Sequence, residues 1–253
     1  MTRRLVVVTG GGRGVGRAVV ARFAALGDEV VAVGRDVAAL DATVSATVTT
    51  TGPRVRAEVC DVTDEAAVTT LFDRVGPVDV LVNNAGVAAS APLTRTTLAD
   101  WHDHLEVNAT GAFLCTRAAL PGMVERGHGR IVVVASTAGR VGTRYTAAYT
   151  ASKHAAVGLV RAAAAEVAGT GVTVNAVCPT FVRTDMTRRA VRRIAETTGR
   201  DETAAEAALA RMSPLGRLLE PEEVAFAVAF LAAPEAAAVN GQALVLDGGG
   251  IQA

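Results

Sequence analysis

The sequence predicts an α/β domain: a parallel sheet, doubly wound with helices on both faces, with no second domain. Three observations carry this. Short β-branched apolar runs alternate with helix-like stretches along the chain, the pattern of strand–helix–strand units. The first run meets a cluster of glycines and then a helix, the context in which a phosphate-binding turn is built. Finally, the 253 residues are half apolar but only 4% aromatic. Such a core packs through Ala and Val, as central parallel strands do, and the chain is long enough to close it.

Composition also excludes several roles. The 25 basic and 25 acidic residues balance, and no basic tail offers nucleic acid a surface. No apolar run reaches the ~18 residues of a membrane span. The opening MTRRLVVVTGG breaks at glycines, too early for a signal peptide. Cys60, Cys115 and Cys178 are scattered without a CxxC pair and read as reduced packing residues of a cytoplasmic protein. No metal site is expected, because His102 and His104 are two apart and face different ways on a helix.

Residues 5–9 form the first strand. Gly10, Gly11, Gly12, Arg13, Gly14, Val15 and Gly16 follow, then a helix over 17–26. The glycines permit a tight turn and close approach of backbone to a pyrophosphate. The helix start supplies unpaired N–H groups and a positive dipole end. Residues 29–33 form the second strand, ending Gly34-Arg35-Asp36. An acid at this strand end holds the ribose hydroxyls of NAD and repels a 2′-phosphate. Gly34 occupies that position, and Arg35 and Arg13 offer two guanidiniums suited to phosphate. NADP(H) is therefore expected over NAD(H). Asp36 argues the other way, since a one-residue shift would place it on the ribose, and Arg35 can also be read as a solvated charge.

Residues 55–60 form a third strand, closing with Asp61 and Val62 where an adenine edge and face could be read. A helix over 64–75 and a strand over 78–82 follow, ending Asn83-Asn84-Ala85-Gly86. Residues 97–126 read as one long helix with Asn108 in its middle. Asn is a poor interior helix residue. Leu105, Ala109, Ala112 and Phe113 lie near its face, so a buried amide with a task is expected rather than a surface residue.

Residues 131–135 form a buried strand that passes Ser136 and leads into a helix. Tyr149 and Lys153, four apart, share a face of that helix. A phenol beside an ammonium is suited to proton transfer. Lowering a phenol from ~10 to near neutrality asks for roughly 3 units, about 4 kcal/mol. Lys153 and a second positive charge, such as an oxidised nicotinamide, could together supply it. Ser136 could bond the oxygen that the phenol addresses. Tyr145 is a rival phenol, but it lies about 12 Å from Lys153 if the helix extends that far. Tyr and Lys at this spacing also occur by chance, so the pair gains weight from the rest of the chain.

Residues 172–178 form the sixth strand, ended by Pro179, and 179–184 lie at the carboxyl end of the sheet, where ligands bind in such folds. Residues 185–212 are polar and helical, too many for a plain connection, and are expected to form a lid over the substrate. Arg188, Arg189, Arg192 and Arg193 on one face suit a phosphopantetheine or nucleotide phosphate, although a solvated face is the commoner meaning of such a run. A helix over 221–233 starts with proline in its first turn, and 242–246 form the last strand.

Taken jointly, Thr9-Gly10-x-x-x-Gly14-x-Gly16, Asp61-Val62, Asn83-Asn84-Ala85-Gly86, Asn108, Ser136, Tyr149-x-x-x-Lys153 and the stretch 179–184 resemble the short-chain dehydrogenases/reductases from end to end. The resemblance implies a Rossmann-type sheet of seven parallel strands and a homotetramer. It implies a catalytic tetrad of Asn108, Ser136, Tyr149 and Lys153. Tyr149 would be the acid/base and Ser136 would position the carbonyl. Lys153 would lower the phenol pKa and hold the nicotinamide ribose, and Asn108 would anchor a water relaying protons to Lys153. Val182 and Thr184 would meet the nicotinamide carboxamide and Pro179 would also bind the cofactor, while Thr180 stands where the family usually has glycine.

Residues 129–186 look like bacterial 3-oxoacyl thioester reductases and aromatic polyketide ketoreductases. The Pro-Gly-Gly stretch that the polyketide enzymes often carry after Asn-Asn-Ala-Gly is replaced by Val87-Ala88-Ala89-Ser90. That favours an acyl-carrier-protein or coenzyme A thioester, or another hydrophobic ketone. The alternatives are an NAD-dependent 3-hydroxyacyl-CoA or other secondary-alcohol dehydrogenase, and a non-catalytic dinucleotide sensor. The sensor would be marked by loss of Ser136, Tyr149 or Lys153, and none is lost. Epimerases and dehydratases of this fold usually need an extended substrate domain, for which little chain remains.

Overall fold

Seven parallel strands carry the molecule, in the order β3-β2-β1-β4-β5-β6-β7. They are β1 (Leu5–Thr9), β2 (Glu29–Gly34), β3 (Val55–Val59), β4 (Val80–Asn83), β5 (Gly129–Val134), β6 (Val172–Pro179) and β7 (Ala243–Leu246). The computed structural model describes residues 3–47 and 55–252. The winding reverses between β1 and β4, where Val7 pairs with Leu81 on one side and Val31 on the other. A crevice therefore opens at the carboxyl ends of these two strands, the place where such sheets take ligands.

Alternate strand residues face opposite layers. Val7, Leu81, Ile131 and Val174 pack under α3 (Glu65–Val75), α5 (Gly111–Glu125) and α6 (Ala147–Glu166). Val6, Val8, Val80 and Val132 pack under α1 (Gly14–Ala25) and α9 (Pro221–Leu231). Both cores consist mainly of Val, Ala and Leu, as the composition predicts.

Three elements differ from the sequence reading. α2 (Val37–Ala46) is not announced by its residues, because Thr43, Val44 and Ser45 are poor helix formers. Its start is set by Asp36, whose carboxylate accepts from the Ala39 N–H at 2.9 Å. The expected single helix over 97–126 is instead α4 (Leu98–Leu105), a π-turn at Glu106–Thr110 and α5. In the wider turn the Gly111 N–H reaches back to the Glu106 carbonyl, and Asn108 is carried inward to 2% exposure. Gly111 then lies so close to Val62 that a Cβ there would sit 2.7 Å from its Cγ2. Packing and the bonds of Asn108 thus outweigh regular helix geometry. The expected polar segment over 185–212 forms two helices, α7 (Asp185–Thr198) and α8 (Glu202–Ala210). They are separated at Gly199, with φ of 68°, and share a small core of Val191, Ala205 and Leu209 with Leu218. The four arginines of α7 are exposed. Arg188 pairs with Asp185, and Arg192 lies 3.7 Å from Glu202.

The turn between β1 and α1 tolerates little added bulk. A Cβ on Gly16 would lie 2.0 Å from the Gly10 carbonyl oxygen and 2.5 Å from Asn84 Nδ2. Because the first of these is backbone, Gly16→Ala is expected to cost about 1–3 kcal/mol of stability, read as a lowered urea midpoint.

Candidate active site

Ser136, Tyr149 and Lys153 meet beyond the ends of β5 and β6. Ser136 leaves β5 in an extended conformation, and its Oγ accepts from the Ala138 N–H at 3.1 Å. Its hydroxyl shares a hydrogen bond with the half-buried Tyr149 phenol. Burial pushes the nearby Cys178 thiol up, and the Ser136 backbone N–H opposes that in part. Lys153, one turn along α6, is 5% exposed and donates to the Val134 carbonyl at 2.9 Å. Its Nζ stands 5.8 Å from the centre of the Tyr149 ring.

The charges are set mainly by burial. Burial pulls the Lys153 ammonium down to about 8, against a weaker opposing influence of Cys178. Burial also pushes the Tyr149 phenol up, and the bond to Ser136 recovers only part of that. The depressed phenol expected from the Tyr–Lys pair is therefore absent in the protein alone, because desolvation disfavours both ions.

Asn108 is a buried amide with a task, as expected. The task visible in the structure is architectural. Its Oδ1 accepts from the Val87 N–H at 2.8 Å, and its Nδ2 donates to the Val87 carbonyl at 3.0 Å and to Ser152 Oγ at 2.9 Å. Ser152 is fully buried and donates to the Tyr149 carbonyl at 2.8 Å. With these bonds made, both Nδ2 hydrogens of Asn108 are used and its Oδ1 keeps one lone pair, between the loop after β4 and α6.

A cleft continues from here along the carboxyl edge of the sheet. Gly10, Gly12 and Arg13 form one wall; Gly34, Arg35 and Asp36 close the far end. Asp61, Val62, Ala85 and Gly86 complete it. Arg13 pairs with Asp36, and Arg35 lies 3.2 Å from Asp61. Burial alone would raise the Asp61 carboxyl, but bonds from Thr63 and then Arg35 hold it below its usual range. Asp36 lines this end of the cleft as well, and its carboxylate caps α2 and pairs with Arg13.

The residues present fit a dinucleotide. α1 has no acidic residue in its first turn and no side-chain cap, so the N–H groups around Val15 and Gly16 remain open to an anion. A Cβ on Gly86 would lie 3.1 Å from Asn108 Oδ1 and 3.6 Å from Lys153 Nζ, and would fill the approach to the ammonium. Gly14, with φ of 49°, lies against Thr184, which brings 179–184 to the glycine turn. Thr180 takes no left-handed conformation, and its N–H pairs with the Leu246 carbonyl at 3.0 Å. Val182 bridges to Leu219, and Thr184 caps α7.

Residues 4–195 match the family model described as short chain dehydrogenase. The chain belongs to the short-chain dehydrogenase family. Among curated members, a 3-oxoacyl-[acyl-carrier-protein] reductase of Synechocystis is 38% identical over 98% of this chain and 97% of its own. A D-threitol dehydrogenase of Mycolicibacterium smegmatis is 37% identical, covering 97% and 92%. Among solved members, a single-site variant of actinorhodin polyketide ketoreductase, with NADPH, superposes with a TM-score of 0.91 at 38% identity, covering 98% and 97%. The chain is an oxidoreductase of this family.

The contacts of three supporting residues of this dehydrogenase escape sequence reading. Thr9 Oγ1 accepts from the N–H groups of Asn84 and Ala85 at 3.0 and 3.1 Å, and Asn84 Nδ2 returns a bond to the Thr9 carbonyl at 3.0 Å. Ser152 and His104 are the other two. Each acts through a partner far away in sequence, and only the step from Tyr149 to Ser152 and Lys153 is local.

A cation buried at Lys153 carries a stability cost. The cost is full below pH about 8, where both folded and unfolded states are charged, and fades as pH rises toward the ordinary 10.5. The difference corresponds to roughly 3 kcal/mol before the lost Val134 bond is subtracted. Lys153→Met is therefore expected to raise Tm of the nucleotide-free protein by a few degrees at pH 7, with the gain shrinking above pH 8. A lower Tm at pH 7 contradicts this account of the site.

Proposed function

We propose that the chain is an NADP(H)-dependent ketoreductase. It interconverts a 3-oxoacyl thioester, or a related hydrophobic or polyketide ketone, and the secondary alcohol. The observation that carries this is the continuity between the Ser136–Tyr149–Lys153 cluster and the glycine-walled cleft, joined at Gly86. Relatives named as a 3-oxoacyl-[acyl-carrier-protein] reductase and as a polyketide synthase ketoacyl reductase match at similar identity, so the missing Pro-Gly-Gly stretch does not separate the two.

In this reading Ser136 donates to the carbonyl oxygen, which can only accept, while its own oxygen accepts from Ala138. Tyr149 gives its phenolic proton to the alkoxide oxygen as that oxygen gains charge. Lys153 keeps two N–H groups beyond its bond to Val134 and holds the ribose and the phenolate. A reduced nicotinamide dinucleotide, when bound, supplies the hydride to the carbonyl carbon. Gly10, Gly14, Val15 and Gly16 hold its pyrophosphate, Asp61 and Val62 its adenine, and Asn84, Ala85 and Gly86 line its ribose. Pro179, Val182 and Thr184 hold its carboxamide. Asn108 anchors a water that relays protons to Lys153, its Oδ1 keeping one lone pair beyond the bond from Val87. α7 and α8 act as the lid. Exposed Phe113 on α5 and exposed Phe226 and Phe230 on α9 supply the two apolar faces that a homotetramer needs.

The preference for NADP(H) rests on Gly34, Arg13 and Arg35 at the cleft end. Their ion pairs with Asp36 and Asp61 involve exposed side chains, and such pairs contribute only about 0–1 kcal/mol. A bidentate, doubly charged phosphate displaces them. The same pairing, left intact, would favour the second reading, an NAD-dependent secondary-alcohol dehydrogenase.

Nucleotide oxidation against a panel of ketones, β-keto thioesters and quinones tests this, with NADPH and then NADH. NADPH is expected to be preferred by about tenfold or more in kcat/KM, and Arg13→Ser with Arg35→Ser to erase the preference. A preference for NADH overturns the cofactor reading, and no turnover with either nucleotide overturns the reductase reading. Tyr149→Phe is expected to lower kcat by at least about a hundredfold while nucleotide Kd stays within a few-fold.

A further inference from the structure

His104, in the last turn of α4, is 2% exposed and has no part in the chemistry proposed above. Among the described residues no His, Cys, Asp or Glu cluster could make it a metal ligand. Its ring is nonetheless held on three sides. Nδ1 lies 2.6 Å from the Asp100 carbonyl oxygen, and Nε2 lies 2.9 Å from the Ala89 amide nitrogen. A carbonyl only accepts and an amide N–H only donates. The imidazole is therefore neutral, with its proton on Nδ1 and its lone pair on Nε2. Its third neighbour is Tyr149, edge to face, with centroids 6.2 Å apart and planes at 78°.

Ala89 belongs to the segment 87–91 that follows β4 without regular structure. The segment is held at three points: Val87 by Asn108, Ala89 by His104, and Ala91 by the Tyr145 carbonyl at 2.8 Å. Tyr145 is the only non-glycine among the described residues with a left-handed backbone, φ 66°. The first hold comes from the π-turn and the third from the loop entering α6. His104 supplies the middle one and reaches the phenol as well. An apolar side chain could fill the volume but could not accept from Ala89; an amide could accept but would not present a ring.

We propose that His104 is a positioning residue for the reductase: a neutral strut that fixes the segment 87–91, one wall of the ketone site, and the edge of Tyr149 in a single side chain. This rests on the acid role given to Tyr149. The two functions separate by substitution. His104→Phe keeps a ring against Tyr149 and deletes the acceptor; His104→Gln keeps an acceptor and deletes the ring; His104→Leu removes both.

With the best ketone of the panel, His104→Phe is expected to raise KM about tenfold with kcat within about twofold, the size of one lost hydrogen bond. His104→Gln is expected to lower kcat about tenfold with KM little changed, and His104→Leu to do both. Amide exchange at Ala89 is expected to accelerate about tenfold in the Phe and Leu variants but not in Gln. Nitrogen NMR of the wild-type ring is expected to show the Nδ1–H tautomer. Kinetic constants that fall together in proportion to Tm, unchanged Ala89 exchange in His104→Phe, or an Nε2–H tautomer overturns the proposal. If the wild-type chain turns over no ketone, the reductase reading fails, while exchange and tautomer still decide the strut. If the variants do not fold, the wild-type tautomer decides it.

Discussion

The buried ammonium of Lys153 is the constraint around which the active edge is arranged. A cation with 5% exposure needs acceptors and a space kept open for its partners. The Val134 carbonyl satisfies one N–H, Gly86 leaves the approach clear, and the loop at Gly139 presses so closely on the Lys153 backbone that a Cβ there would lie 2.7 Å from its carbonyl oxygen. These groups come from β5, the segment after β4, the turn after Ser136 and α6. A group that is unfavourable in isolation thus dictates how four elements meet. Natural sites commonly hold such groups at the expense of stability.

The side chains that hold this arrangement outnumber those that would touch a substrate. Thr9 and Asn84 lock the end of β4 to the glycine turn, and Asn108 and Ser152 lock the segment after β4 to α6. All are polar, and each satisfies backbone groups that a loop would otherwise leave to water. The cleft is consequently defined by short hydrogen bonds between irregular segments, laid over a Val- and Ala-rich sheet that contributes rigidity and little chemistry.

Legibility from sequence follows the range of the interaction. Gly10 to Gly16, and Tyr149 with Lys153, are visible because the relevant geometry is completed within a turn or two of chain. The strands are visible because both faces are buried and the runs are continuously apolar. Asn108 is visible as an anomaly, although its partners Val87 and Ser152 are not. Arg13 with Asp36, His104 with Ala89 and Thr9 with Asn84 depend on tertiary placement, and no local pattern marks them. The phenol of Tyr149 shows the same limit for electrostatics: the sequence reveals the neighbouring cation but not how strongly burial opposes both charges. Residues 87–96, 138–148 and 185–212 carry no repeating pattern, so nothing local in them could be read.

The π-turn at Glu106–Thr110 has an evolutionary reading. Such a turn is equivalent to one residue inserted into an α-helix, and each residue advances a helix by about 100°. Deleting a residue there would let α4 and α5 join as an uninterrupted rod with better backbone bonding. The same deletion would rotate Asn108 away from Val87 and Ser152 and pull Gly111 off Val62. Selection for a sturdier helix and selection for this placement of Asn108 and Gly111 therefore act in opposite directions on a single codon.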